Sequence, residues 1–314
     1  MIVLHVTLAV VQEFSFSNHK IIDIIAKLSA DIIKMNGFFI FLGGIIMKLA
    51  FSTLGCPDWS FDEITATAKD LGFDGVEIRG VGNQLFAPAI SQFSESRIEK
   101  TIEKLKALNV EIPCLTSACC FRDASVIDST VKETEEYIEL AASLGTKYIR
   151  ILGDETANPL AEVNDDIVCQ GIKRVARKAE EYGVILLVET NGAYSDTKRL
   201  SALIKSIDSP NVCILWDVHH PIRYNNESVA ETFENIKDYV KYVHIKDSVS
   251  ENGKVTYKMM GFGDLPVKEI ISCLKDNKYD GYISLEWVKR WYAELEAPGV
   301  VFMQYISYMR KALR

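Results

Sequence analysis

Four short apolar runs in the second half of the chain each end in a side chain able to bind a metal: Ile185-Leu186-Leu187-Val188-Glu189, Val212-Cys213-Ile214-Leu215-Trp216-Asp217, Tyr242-Val243-His244 and Tyr282-Ile283-Ser284-Leu285-Glu286. Short unbroken apolar runs read as parallel strands covered on both faces. The same signal marks strands at 48–54, 75–79, 111–117, 147–152, 184–190, 212–218, 240–246 and 281–287. Between and after them, apolar positions recur at helical spacing over 60–71, 94–108, 130–144, 164–182, 196–207, 228–238, 265–277 and 300–313. Gly72, Gly145 and Gly183 follow helices, where a glycine stop is favoured, and Ser60, Ser94 and Asn164 read as N-caps. Eight βα pairs predict an α/β fold, a single-domain (β/α)8 TIM barrel over residues 47–314. The competing doubly wound sheet usually carries a glycine-rich loop after its first strand. Leu54-Gly55-Cys56-Pro57-Asp58 is neither GxGxxG nor a P-loop.

Residues 1–46 do not follow this pattern. Gly37 to Met47 is apolar but too short to span a bilayer, and the N-terminus lacks the basic start of a signal peptide. Gly43-Gly44 lies a few codons before Met47, as a purine-rich ribosome-binding site read in frame would. We expect 1–46 to be translated upstream sequence and Met47 the natural start. The alternative is a genuine N-terminal extension, helical around Ile21 to Ile33 or lying on a membrane surface.

With 314 residues, 48% hydrophobic and 25% charged, the chain has an ordinary soluble composition. A net charge of −8 disfavours general nucleic-acid binding, because an acidic surface repels phosphate backbones. The seven cysteines are odd in number, lack CxxC spacing and fall partly inside apolar runs, so they read as reduced core residues of a cytoplasmic protein.

A charged group at the end of a buried strand is costly unless a partner or metal waits there. Glu189, Asp217, His244 and Glu286 close four successive strands, and together they form one oxygen-rich divalent-metal site. The set suits Mn²⁺ first, and also Mg²⁺, Co²⁺ or Zn²⁺. Three of the five histidines (His219, His220 and His244) fall at two strand ends. His220, three residues after Asp217, is expected to contact substrate, and His219 to be structural. Lys246 shares the side of the strand taken by His244 and is placed to bind a substrate oxygen or phosphate. Glu77 and Arg79 alternate inward after strand 2, as substrate contacts or as an internal ion pair. Met260-Gly261-Phe262-Gly263-Asp264-Leu265-Pro266 reads as a loop over the site or an anion-binding helix start. Trp59, Trp216, Trp287 and Trp291 lie near strand ends or loops, where aromatic walls suit the apolar faces of sugars although core packing is the default; Trp287 is placed among the substrate contacts.

These residues resemble a known family. From Met47 onward the chain is similar to the xylose-isomerase-like barrels described as sugar phosphate isomerases/epimerases. The resemblance rests on Met47-Lys48-Leu49-Ala50-Phe51-Ser52-Thr53-Leu54, Gly75-Val76-Glu77-Ile78-Arg79, Glu189-Thr190-Asn191-Gly192, Trp216-Asp217-Val218-His219-His220, His244-Ile245-Lys246-Asp247, Gly261-Phe262-Gly263-Asp264-Leu265-Pro266 and Ser284-Leu285-Glu286-Trp287. It implies one divalent metal held by Glu189, Asp217, His244 and Glu286, with Glu189 and Glu286 also serving as acid/base groups on opposite faces of a carbohydrate. The proton α to a carbonyl would be exchanged through a cis-enediolate. The resemblance also implies a homodimer or homotetramer, with no nucleic acid or membrane partner. Ketohexose 3-epimerases carry a glutamate where this chain has Ser195 and an arginine where it has Ser250, so that particular activity is not expected.

The leading expectation is therefore an isomerase or epimerase of a sugar, sugar phosphate or keto-polyol. A keto-inositol dehydratase on the same site is the runner-up. An abasic-site endonuclease would need more strand-end histidines and a basic face, and a non-catalytic ligand-binding barrel would not need the Glu189/Glu286 pair. N-terminal sequencing of the protein from its native host should find Met47 first; a mature terminus before residue 40 would rule out the upstream-sequence reading.

Overall fold

The structure, a computed structural model, describes residues 47–159 and 162–314; the expectations for 1–46 lie outside them. Eight parallel strands form one sheet: β1 (Lys48–Ser52), β2 (Gly75–Glu77), β3 (Cys114–Cys120), β4 (Tyr148–Leu152), β5 (Ile185–Glu189), β6 (Val212–Asp217), β7 (Val240–Ile245) and, after an antiparallel hairpin of β8 (Asp247–Glu251) and β9 (Lys254–Lys258), β10 (Tyr282–Leu285). Their order is β2-β1-β10-β7-β6-β5-β4-β3. Bridges Gly75↔Glu111 and Ile78↔Leu115 join β2 to the β3 segment and close the barrel. The predicted third strand began at residue 111. Observed β3 starts at Cys114 because Pro113 has no N–H to donate to a ladder.

The helices are α1 (Phe61–Leu71), α2 (Ile98–Leu108), α3 (Ile127–Leu144), α4 (Asp165–Glu181), α5 (Thr197–Ile207), α6 (His219–Asn225), α7 (Val229–Ile236), α8 (Val267–Asp276) and α9 (Pro298–Ala312). Ser60 caps α1 in a full capping box with Glu63, and Asn164 caps α4. Gly72 and Gly145 end α1 and α3 in the left-handed region, at φ 73° and 71°. Ser94 does not cap a helix. Its hydroxyl donates to the Ser91 carbonyl at 2.9 Å, and α2 begins only at Ile98.

Two elements were not expected. One is the short helix α6, which carries both His219 and His220. The other is the β8–β9 hairpin, whose register pairs Glu251 with Lys254 around Asn252-Gly253. Both turn residues have positive φ, 50° and 77°, the preference of a two-residue hairpin turn, so Asn-Gly was the available signal.

The helices pack against the barrel through one continuous apolar layer. Phe302 of α9 is fully buried and stacks on Phe51 of β1 at 4.2 Å between ring centroids, with Trp59 edge-on at 5.7 Å. This contact ties the last helix to the first strand. Phe302→Ala should lower stability by about 3–5 kcal/mol, read as a shift in the urea midpoint. Met303→Ala, at a neighbouring position that is 59% exposed, should change it by less than about 0.5 kcal/mol.

Candidate active site

Side chains alternate along a strand, so every second residue faces the barrel interior. On β5, β6, β7 and β10 this inward stripe begins apolar and ends polar. Leu187, Cys213, Leu215, Tyr242 and Tyr282 form an inner apolar cluster. One or two steps further lie Glu189, Asp217, His244 and Glu286. Register sets their level: Asp217 pairs with His244 across β6–β7, and Glu189 pairs with Leu215, two residues before Asp217. Glu286 follows β10, its N–H bonded to the Ile245 carbonyl. All four side chains are buried, and one donor atom from each lies within 4.8 Å of the others.

His244 stands at the centre of this group. Its Nδ1 lies 3.3 Å from Glu189 Oε1 and 3.5 Å from Glu286 Oε1. Its Nε2 lies 2.9 Å from Glu77 Oε2 on the far side. Glu77 is fully buried and also accepts from the Thr116 hydroxyl at 2.5 Å. Burial alone would make His244 harder to protonate, but Glu77 and then Glu286 outweigh it and raise its pKa well above the usual value. With Nε2–H committed to Glu77, Nδ1 is left to face the other carboxylates, an arrangement typical of a histidine ligand held by a second carboxylate.

Two buried cations balance the acids. Arg150 of β4 places Nε 3.2 Å from Glu189 Oε2 and donates from Nη1 to the Ser117 carbonyl. Burial opposes ionisation of Glu189, yet Arg150, with help from His244, holds its carboxyl far below the usual range. The Lys246 ammonium bonds Asp217 and lies 2.5 Å from Glu286 Oε2. Burial would discharge it; Asp217 and Glu286 raise its pKa instead. Four carboxylates thus face Arg150, Lys246 and His244, an acid-rich group that presents oxygen and imidazole donors to one point. The donor spread is close to the ~4.2 Å across an ion whose ligands stand ~2.1 Å away. Donor chemistry and spacing both fit a divalent metal.

The cluster floors a cavity of about 490 Å³ at the C-terminal ends of the strands. Its walls include Arg79, Arg150, Asn191, His220, Lys246, Tyr257, Trp291 and Tyr292. A cavity of about 580 Å³ opens at the opposite end, beside Lys48, Glu111, Tyr148 and Tyr282. There Glu111 is already taken by Lys48 and the Tyr282 hydroxyl, and no carboxylate–histidine cluster lines it, so the chemistry lies with the smaller cavity.

The other sequence-marked residues distribute clearly. His220 reaches the cavity from α6 and donates from Nδ1 to the Thr190 carbonyl at 2.9 Å. Its Nε2 lies 3.5 Å from Asp217 Oδ2. Burial lowers its pKa, so it is neutral, with an acceptor toward the cavity. His219 points elsewhere, its Nε2 2.9 Å from the Ser248 hydroxyl. Two expected substrate contacts are corrected. Glu77 sits behind His244, sealed from the cavity. Trp287 is 1% exposed in the apolar layer, its Nε1 donating to the Glu296 carbonyl at 3.1 Å. The aromatic wall comes instead from Trp291, Tyr292 and Tyr257.

The Gly261–Pro266 loop does not offer its amides to an anion. Asp247 already accepts from the N–H groups of Gly261, Gly263 and Leu265, as well as Ser248. A Cβ on Gly263 would stand 2.0 Å from Asp247 Oδ1, so only glycine allows this approach. Ser195 bonds within its own loop and to Asn225, Ser250 is exposed on β8, and neither lines the cavity. Arg150 and Tyr257 were missed. Arg150 left one signal, a lone charge inside the apolar run Tyr148-Ile149-Arg150-Ile151-Leu152.

The chain matches the xylose isomerase-like TIM barrel family over residues 65–311. It belongs to that family. Among relatives, it is 21% identical over 258 residues to fructoselysine 3-epimerase of Escherichia coli O157:H7, covering 79% of this chain and 93% of the relative. It is 26% identical over 153 residues to inosose dehydratase of Clostridium perfringens, covering 43% and 48%. In fold, this xylose isomerase-like barrel resembles the crystal structure of the IOLI protein with a bound zinc atom, with a TM-score of 0.69, 16% identity and coverage of 85% and 98%. No helix among the described residues is long and apolar enough to cross a membrane.

If His244 is aligned through Glu77, Glu77→Gln should weaken Mn²⁺ or Zn²⁺ binding by about 10–100-fold. Titration calorimetry should find about one site per chain in both proteins. An unchanged affinity would detach Glu77 from the metal.

Proposed function

We propose that the protein is a divalent-metal-dependent isomerase or epimerase of a sugar, sugar phosphate or related keto-polyol, acting at the carbon next to a carbonyl. The observation that carries this reading is the placement of Glu189 and Glu286. They close the outer two strands of the run β5-β6-β7-β10, flank His244 Nδ1 on both sides, and open on one cavity. When bound, a divalent ion supplies Lewis-acid polarisation of the substrate carbonyl.

Glu189, kept ionised by Arg150, accepts the α proton; Glu286, once it has taken up a proton from solvent in the cavity, delivers it to the other face, and Glu189 releases its own proton to solvent to complete the cycle. The sequence of events passes through a cis-enediolate of the substrate. His220 Nε2 and the Lys246 ammonium, both at the cavity wall, bind hydroxyl and carbonyl oxygens and fix the reacting carbon between the two glutamates. Tyr257 and Tyr292, with ring centroids 5.3 Å apart, exclude water from one side and receive the C–H faces of the ring or chain. The single histidine within the ligand cluster supports this chemistry over a nuclease with several metals. The fructoselysine 3-epimerase likeness supports epimerisation.

A dehydratase of a keto-inositol is the second reading, favoured by the likeness to inosose dehydratase. The first step is the same, and the β-hydroxyl leaves instead of the proton being returned. Glu286→Gln keeps the shape of the side chain and should cut turnover by about 10²–10⁴-fold while leaving the melting temperature nearly unchanged. A panel of ketoses, keto-polyols and inososes incubated with Mn²⁺ in D₂O reads the reaction by mass. Deuterium gain at constant formula marks epimerisation or isomerisation, and loss of one water marks dehydration. Turnover retained in the variant would remove Glu286 from its acid/base role.

A further inference from the structure

Arg79 is the cation at the cavity wall that the acidic cluster does not use. It follows β2, on the side of the barrel away from the ligand strands, and lines the same cavity as Glu189 and Glu286. The other cations nearby are engaged. Arg150 faces Glu189 and the Ser117 carbonyl, Lys246 joins Asp217 and Glu286, and Arg290 donates to the Pro57 and Gly82 carbonyls. Among the described residues, no carboxylate lies within 4.0 Å of the Arg79 guanidinium and no acceptor is hydrogen-bonded to it. Its backbone N–H is fixed instead, donating to the Thr53 hydroxyl at 2.9 Å. Burial, with Arg150 and Arg290 nearby, lowers its pKa to about 10. It therefore stays charged at neutral pH, partly exposed to the cavity and without a counterion among the described residues.

A guanidinium that faces a cavity with no protein acceptor is free to donate its fork to an anionic ligand, a charge-assisted contact. Its flat face is already supported, since the Trp291 ring centroid lies 5.9 Å from Arg79 Cζ. That leaves the edge of the fork for a planar anion with two oxygens, whose geometry a carboxylate matches. Among the described residues the other cations lining the cavity, Arg150 and Lys246, are each paired with a carboxylate, so Arg79 offers its fork to one anionic group.

We propose that the substrate is a polyhydroxylated carboxylic acid, its carboxylate held by Arg79 against Trp291 while its polyol portion reaches the glutamate cluster. This rests on the proposed reading of the cavity as the substrate site, but it concerns binding and is testable without turnover.

The test is calorimetry on the Mn²⁺-loaded protein with D-gluconate, D-glucitol and D-glucitol 6-phosphate. D-gluconate should bind at least about tenfold more tightly than D-glucitol. Arg79→Gln should remove that preference while leaving D-glucitol binding unchanged. Because the wild type and the variant carry the same metal, chelation by gluconate alone would affect both equally and leave the preference intact in Arg79→Gln; that result overturns the proposal. So does a wild type that favours D-glucitol 6-phosphate, which would assign the arginine to a phosphate. Arg79→Lys, which keeps the charge without the fork, should fall between the two and serves if the glutamine variant does not fold. Glu286→Gln should keep the carboxylate preference. A chain that turns over nothing in D₂O yet shows that preference fails as an isomerase and still carries this subsite.

Discussion

The structure depends on holding four carboxylates close together inside the barrel. Glu77, Glu189, Asp217 and Glu286 crowd around His244, with no more than 6% exposure for any of them. One unpaired buried charge costs several kcal/mol. Each acid here has a counter-group: Thr116 and His244 for Glu77, Arg150 for Glu189, Lys246 for Asp217 and Glu286. These pairings cross the barrel from β2 to β7, from β4 to β5 and from β7 to β6 and the end of β10. The polar layer is thus a set of cross-strand links that fixes where each strand end stands. Such a layer is a poor source of net stability and a strong constraint on geometry, which a metal site requires.

That layer rests on an apolar floor. The inward stripe of β7 runs Tyr242, His244 and then Lys246, and that of β10 runs Tyr282, Ser284 and then Glu286. Tyr242 and Tyr282 stack at 6.0 Å between centroids and fill the barrel below the histidine. A shift of one residue in either strand would turn the ligands into the helix layer and the apolar outward residues into the cavity. Asp217 and His244 as register partners therefore fix the site and the fold together.

The buried cluster of Glu189, Asp217, His244 and Glu286 was legible because each member ends an apolar run, where a charge is costly without a partner. The barrel was legible from eight repeats of one pattern. What escaped was where a pattern is short or the partner is distant. Strand β2 has three residues, and its closure on β3 depends on individual bonds such as Val76 N–H to the Glu111 carbonyl at 2.9 Å. Glu77 read as a substrate contact because inward alternation says which face a residue takes, not which neighbour occupies the space in front of it. His244, 167 positions later, occupies it. Trp287 was misplaced for a related reason. An aromatic after a strand end suits either a cavity or the helix layer, and the packing of α9 against β1 settles it for the helix layer.

The distribution of charge around the mouth gives the cavity a direction. The ends of β5 and β10 deliver the carboxylates of Glu189 and Glu286, whereas β2 and β4 deliver Arg79 and Arg150. Between them the β8–β9 hairpin brings Tyr257 over the cavity, held in place because the residue before its first strand is Lys246 and the residue that starts it is Asp247. The Asp247 carboxylate gathers the amides of the following loop, and Lys246 gathers Asp217 and Glu286. Two adjacent residues of opposite charge therefore link the hairpin to the acidic cluster. A ligand entering this space meets the unpaired Arg79 on the β2 side and the paired acids across from it. The folded chain sets this arrangement in advance, so that a ligand need not reorganise it.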